Sequence, residues 1–212
     1  MQEAWAIREI NDEVIKISKQ LGVKNIIHYG GPGITENGEP IDNFNKYKDL
    51  NEKLKSENLN LVGVESGFFI DPFYWDVVTA GPKRDELIND LIIQIKDMAR
   101  AGVQMLGYTW MPLGPIRTEP KIIRGGSYGT AFDIKSNNLE LAGKNSIKIE
   151  HSNSFPINDI NFLTEEMLWQ NLEYWIKAVT PVAEEEGIRL GIHPDDPPVD
   201  NLGGVPRIMT SF

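Results

Sequence analysis

One short run concentrates the residue types that do chemistry: His193-Pro194-Asp195-Asp196-Pro197-Pro198. Imidazole nitrogen and carboxylate oxygen suit Mn2+, Fe2+ or Zn2+, and the prolines restrict the backbone that carries the two acids. A catalytic metal usually takes three or more protein ligands, so His193 alone makes no site. The plainer reading is that His193 hydrogen-bonds locally and the aspartates cap the next element. Arginines offer a second chemistry, because a guanidinium grips a carboxylate through two parallel hydrogen bonds. Arg117 in Arg117-Thr118-Glu119, Arg124 in Arg124-Gly125-Gly126 and Arg207 after Pro206 are candidates; each would otherwise be solvated or paired with a neighbouring acid. Trp110 either walls a pocket or fills the core, and Glu65 is a base, a ligand or a structural acceptor. His28 and His151 have no partner at ligand spacing and read as structural or solvated.

Helices and strands must position these groups. Four amphipathic stretches, 12–21, 44–56, 83–101 and 165–186, each end at or near a residue suited to a left-handed cap, namely Gly22, Asn58, Gly102 and Gly187. Each is followed by a short apolar run, at 23–29, 59–66, 103–112 and 188–194, and a further strand is expected at Ala4–Arg8. The runs are nearly continuous in apolar character, as in strands covered on both faces. Pro82 is placed at a first helical position, and Pro181 should kink the last helix. Strands alternating with helices imply βα units and a parallel sheet. Function in such sheets gathers at the C-terminal strand ends, which here carry His28, Tyr29, Glu65, Ser66, Tyr108, Trp110, His193, Asp195 and Asp196.

The alternation alone does not separate a barrel from a doubly wound sheet. Gly30-Gly31-Pro32-Gly33 suits a turn better than a phosphate cradle, and an α/β TIM barrel is the preferred architecture. Residues 1–212 are read as a single domain, interrupted by a polar, glycine-rich insertion at 113–163. At about 50 residues that insertion is too long for an idle connection and reads as a lid or active-site loop.

The formal net charge of −10 argues against a nucleic-acid partner. The absence of cysteine excludes, within these residues, a disulfide scaffold, a zinc ribbon and a thiol nucleophile. No apolar run reaches the length of about 18 residues that a membrane span needs, and Met1-Gln2-Glu3-Ala4-Trp5 does not begin a signal peptide. A cytoplasmic location is expected.

Gly191-Ile192-His193-Pro194-Asp195-Asp196-Pro197-Pro198, followed by Gly203-Gly204-Val205-Pro206-Arg207-Ile208, resembles the central signature of mannonate dehydratases. Tyr108-Thr109-Trp110-Met111-Pro112 and Arg117-Thr118-Glu119 are similar to that family's preceding strand and loop. Arg124-Gly125-Gly126 with Thr130-Ala131-Phe132-Asp133 is similar to an insertion within it. The resemblance implies a xylose isomerase-like TIM barrel that dehydrates D-mannonate to 2-keto-3-deoxy-D-gluconate. It implies His193 as a ligand of Mn2+ or Fe2+, and Trp110, Arg117, Asp195 and Arg207 as substrate contacts. The family's other ligands (a Cys, a His and an Asp) and its acid/base residues come from later strands, so the catalytic groups are expected beyond residue 212. The barrel is accordingly expected to be incomplete, with about five of its eight strands. The expected partner is a sugar acid, and a homo-oligomer is an open option. The alternatives are a related metal-dependent sugar isomerase or epimerase, or a non-catalytic barrel fragment.

Overall fold

The computed structural model describes residues 3–30, 42–148 and 159–211. The expected turn at Gly31-Pro32-Gly33 and His151 lie outside the described residues. In chain order the elements are β1 (Ala4–Ile7), α1 (Asp12–Leu21), β2 (Asn25–Tyr29), α2 (Asn43–Ser56), β3 (Asn60–Ser66), α3 (Trp75–Thr79), α4 (Arg84–Arg100) and β4 (Met105–Thr109). There follow β5 (Thr118–Ile122), β6 (Tyr128–Ala131), β7 (Glu140–Gly143), β8 (Ser146–Lys148), α5 (Glu165–Glu185), β9 (Arg189–His193), β10 (Asn201–Leu202) and β11 (Val205–Pro206).

Helix ends follow the local signals. The Asn11 side chain accepts from the Val14 N–H at 3.0 Å, and that of Thr164 from Met167 at 3.2 Å, each satisfying an amide that the first turn leaves open. Gly22 closes α1 at φ 73°, returning its N–H to the carbonyls of Lys19 and Ser18. Helix α4 begins one residue later than expected: Lys83 is its N-cap and Pro82 stands just outside it. Helix α5 continues through Pro181 to Glu185.

Strands β1, β2, β3, β4 and β9 form one parallel sheet in that order, with no reversal of direction along the row. Side chains alternate between faces. Ile26, Val64, Leu106 and Tyr108 are buried in one core with Leu54, Leu91, Ile95, Leu172 and Trp175 of the helices. The expectation that both faces are covered holds for one of them only. On the other, Asn25, Ile27, Met105 and Arg189 line a cavity of about 490 Å³ near the strand starts, and the carboxyl ends line another.

Two regions depart from the sequence reading. After β3, short 3-10 turns at Phe68–Ile70 and Pro72–Tyr74 lead into α3, a stretch too short to show a helical period. The described part of the 113–163 insertion is organised in strands: β5 and β6 make a hairpin, while β7 and β8 join β10 and β11 in a second small sheet. No described helix is long and apolar enough to cross a membrane.

Candidate active site

Strand register assembles a row of side chains at the carboxyl end of the sheet. Tyr29 pairs with Glu65, Glu65 with Gly107 and Gly107 with Gly191. Two residues on, and so on the same face, Thr109 pairs with His193. Ile7 pairs with His28, which brings Arg8 beside Tyr29, its guanidinium 5.9 Å from the ring centroid. Gly107 makes room for the row: a Cβ there would lie 3.2 Å from Glu65 Cγ. Burial and the nearby Glu65 charge raise the Tyr29 pKa, so its hydroxyl keeps its proton. Arg8, Tyr29, Glu65, Thr109, Met111, Arg117, His193 and Asp196 enclose a cavity of about 340 Å³. Arg8, Tyr29 and Glu65 also border an adjoining space of about 510 Å³ that extends to Asp71. Both volumes fall in the range of roughly 300–1,000 Å³ typical of small-molecule sites.

The adjacent aspartates meet different arginines. Asp196 faces the cavity and pairs with Arg117 through both oxygens, with Nη1 to Oδ1 at 2.7 Å and a second bond from Nη2 to Oδ2. Asp195 turns inward to Arg207, Nη1 to Oδ1 at 3.0 Å, and both side chains are only 1% exposed. Its other oxygen accepts from the Met209 N–H at 2.7 Å, and Arg207 Nη2 donates to the Gly114 carbonyl at 2.6 Å. Burial lowers the Arg207 pKa, opposed by the charge of Asp195. The bond to Gly114 grips a bent loop: the preceding Leu113 has φ 71°, a left-handed conformation that costs a non-glycine residue about 1–2 kcal/mol. The Arg207–Asp195 pair thus ties the loop leaving β4, which carries Arg117, to the segment that leaves β9 just after His193 and carries Asp196.

His193 Nδ1 lies 2.6 Å from the carbonyl oxygen of Pro194. With Nδ1 donating that bond, Nε2 keeps its lone pair, the arrangement that orients a ligating histidine. Trp110 points away from this cavity. It is 2% exposed and packs edge-on against Phe69 at 4.7 Å between ring centroids, close to Trp175. Alternation explains the difference: Thr109 and Met111 line the cavity, and Trp110 between them faces the helices.

The profile of the family described as D-mannonate dehydratase (UxuA) matches residues 5–212. The chain belongs to the D-mannonate dehydratase family. It is 33% identical to the mannonate dehydratase of Streptococcus pneumoniae (strain 70585), over 81% of this chain and 48% of that protein. The crystal structure of mannonate dehydratase from Streptococcus suis serotype 2 superposes with a TM-score of 0.77 at 28% identity, covering 99% of this chain and 56% of the other. A structure from Anabaena variabilis, provisionally described as a sugar phosphate isomerase/epimerase, has a TM-score of 0.50 at 14% identity over 91% of this chain and 54% of its own; that likeness concerns the fold alone. The chain spans about half the length of the curated relatives it matches.

A divalent metal of the kind this family implies needs three or more protein donors. His193 is a suitable single donor. Asp195 and Asp196 are both committed to guanidinium groups, and among the described residues no three His, Asp or Glu side chains come together to hold an ion. The described residues therefore do not hold a metal by themselves. Of the residues that the sequence set against substrate, Arg117 reaches the cavity, while Trp110, Asp195 and Arg207 are buried away from it. Arg124 lies at the turn between β5 and β6, exposed. Arg8 and Thr109 were not singled out by sequence reasoning. Counting back in steps of two from each strand end was the signal that could have found Thr109; Arg8 needed the pairing of β1 with β2.

Proposed function

We propose that the chain supplies five consecutive strands of a xylose isomerase-like β/α barrel, and that it serves a metal-dependent hydro-lyase converting D-mannonate to 2-keto-3-deoxy-D-gluconate. The observation that carries this reading is the cavity at the carboxyl strand ends. It brings His193 and the Arg117–Asp196 pair together in a member of the D-mannonate dehydratase family. His193 Nε2 would be one ligand of a Mn2+ or Fe2+ ion, with the remaining donors supplied from outside the described residues. Such an ion, when bound, supplies a Lewis acid for the negative charge that builds as the C2 proton of the sugar acid leaves.

The chain's own groups bind and orient. Arg117 and Asp196 present donors and acceptors to the sugar hydroxyls and help to orient the bound sugar acid relative to the acid and base groups. Glu65 accepts from a hydroxyl at the opposite wall. Asp195 and Arg207 serve the site from behind, by holding the two loops in register, and Trp110 serves it by stiffening the core beneath β4.

The test is incubation of the protein with D-mannonate and Mn2+ or Fe2+, following the 2-keto acid by NMR together with ligand binding. With the donors that complete the metal site present, product formation that His193→Ala abolishes is expected. A metal-loaded protein that neither binds D-mannonate nor forms the keto acid would sink the reading.

A further inference from the structure

Three arginines lie in or behind the carboxyl-end cavity, and they differ in what holds them. Arg117 is bound through two nitrogens by Asp196. Arg207 is sealed under the loops with Asp195. Arg8 lines the main cavity and its extension, is exposed, and has neither an ion pair nor a hydrogen bond from its guanidinium among the described residues. Among the described residues its guanidinium lies near the Tyr29 ring, 5.9 Å from the centroid. The charge of this cation is therefore uncommitted at the wall formed by β1, across the sheet from His193 on β9.

We propose that Arg8 is the anion anchor of the site, taking the carboxylate of the sugar acid from the β1 side of the cavity; this rests on the reading of the site as one for D-mannonate. A chain with a formal net charge of −10 repels an anion at long range, and Glu65 in the cavity wall adds to that repulsion. Capture of a carboxylate then depends on a local cation whose charge is not already matched. Arg8 meets that condition, and the other two arginines do not. At 5.9 Å from the Tyr29 ring centroid the guanidinium is only loosely held, so its N–H donors are free for a planar, two-point grip on a carboxylate. The register of β1 on β2 and β2 on β3 sets Arg8, Tyr29 and Glu65 side by side. Carboxylate recognition at Arg8 is thereby placed next to hydroxyl recognition at Glu65, the order of groups along one end of a sugar acid.

The experiment is calorimetric titration of the full chain with D-mannonate and with D-mannitol, which has the same six carbons and no charge. The parent should prefer mannonate. Arg8→Gln should lower mannonate affinity about tenfold or more, the scale of one lost charge-assisted contact, and leave mannitol binding unchanged. Arg8→Lys should restore part of the loss. Because Arg8 is exposed, the thermal unfolding of the variant should match that of the parent. Mannonate binding by Arg8→Gln equal to the parent's would overturn the anchor and leave the D-mannonate reading standing. Equal losses for both ligands would make Arg8 a mere wall of the cavity and overturn it as well. A parent that binds neither ligand would remove the D-mannonate reading itself, and the anchor with it.

Discussion

Asp195 and Asp196 are neighbours in sequence, and each pairs with an arginine, yet the two pairs belong to different regions of the molecule. The Asp195–Arg207 pair is sealed from solvent, each side chain 1% exposed, with further bonds to the Met209 amide and the Gly114 carbonyl. The Asp196–Arg117 pair stands at the cavity mouth, with side-chain exposures of 31% and 36%. Water decides what each pair is worth. At the mouth, solvent screens the charges and competes for them, so the pair adds little to stability, and its remaining donors and acceptors stay open to a ligand's hydroxyls. In the interior neither charge can exchange its partner for water, so the pair is costly to break and holds two loops in one geometry. The same two residue types thus form a sealed scaffold in one place and the wall of a cavity three bonds along the backbone.

Breaking the buried pair tests the contrast most severely. Asp195→Ala leaves a buried guanidinium without its carboxylate and should destabilise the fold by about 3–5 kcal/mol, read as a lowered midpoint in urea unfolding. The double change Asp195→Leu with Arg207→Met should recover most of that loss, because no charge is left stranded; a double variant as unstable as the single one would show that the bonds to Gly114 and Met209 matter more than the charge. At the mouth, Asp196→Asn or Arg117→Ala should change stability by no more than about 1 kcal/mol while weakening D-mannonate binding in titration. A stability loss at the mouth equal to that in the interior would erase the distinction. Gly107→Ala sharpens the geometry of the cavity: the new Cβ, 3.2 Å from Glu65 Cγ, should displace that carboxylate and weaken D-mannonate binding severalfold with a small change in melting temperature.

The smallest effect concerns His28, which lies outside both pairs. Burial, with a contribution from the Lys46 charge, lowers its pKa below the ordinary 6.5. The unfolded chain therefore takes up this proton before the folded one does. The stability that neutral His28 contributes is complete above about pH 6.5 and is lost as the pH falls through the folded value. Unfolding free energies measured between pH 7 and pH 5 should decline less steeply in His28→Gln than in the parent; parallel slopes would remove His28 as a contributor.

Local chemistry made much of the fold legible. The period of Leu87, Leu91, Ile95 and Met98 marks α4, and the cap at Gly22 marks the end of α1 to the residue, because both signals act within a few positions along the chain. The 68–79 stretch was not legible, since two 3-10 turns and a five-residue helix offer no period to read. The small sheet that the insertion joins was not either: β8 pairs in parallel with β10 more than fifty residues away, and that pairing leaves no local trace.

The site divides in the same way. The residues themselves determined the family, through His193-Pro194-Asp195-Asp196 and the segment ending at Arg207, and they determined that strand ends would carry the chemistry, because alternating helices and strands admit few other places for it. Only the tertiary structure decided which polar groups face the cavity and which are spent on one another. Asp195 and Asp196 carry the same side chain and differ only in the direction the backbone gives it. Arg8 acquires its neighbours through strand register. Trp110 goes to the core because the strand turns successive side chains to opposite faces. Direction, register and partner are properties of the folded chain, fixed when solvent is removed from one face of the sheet and left on the other.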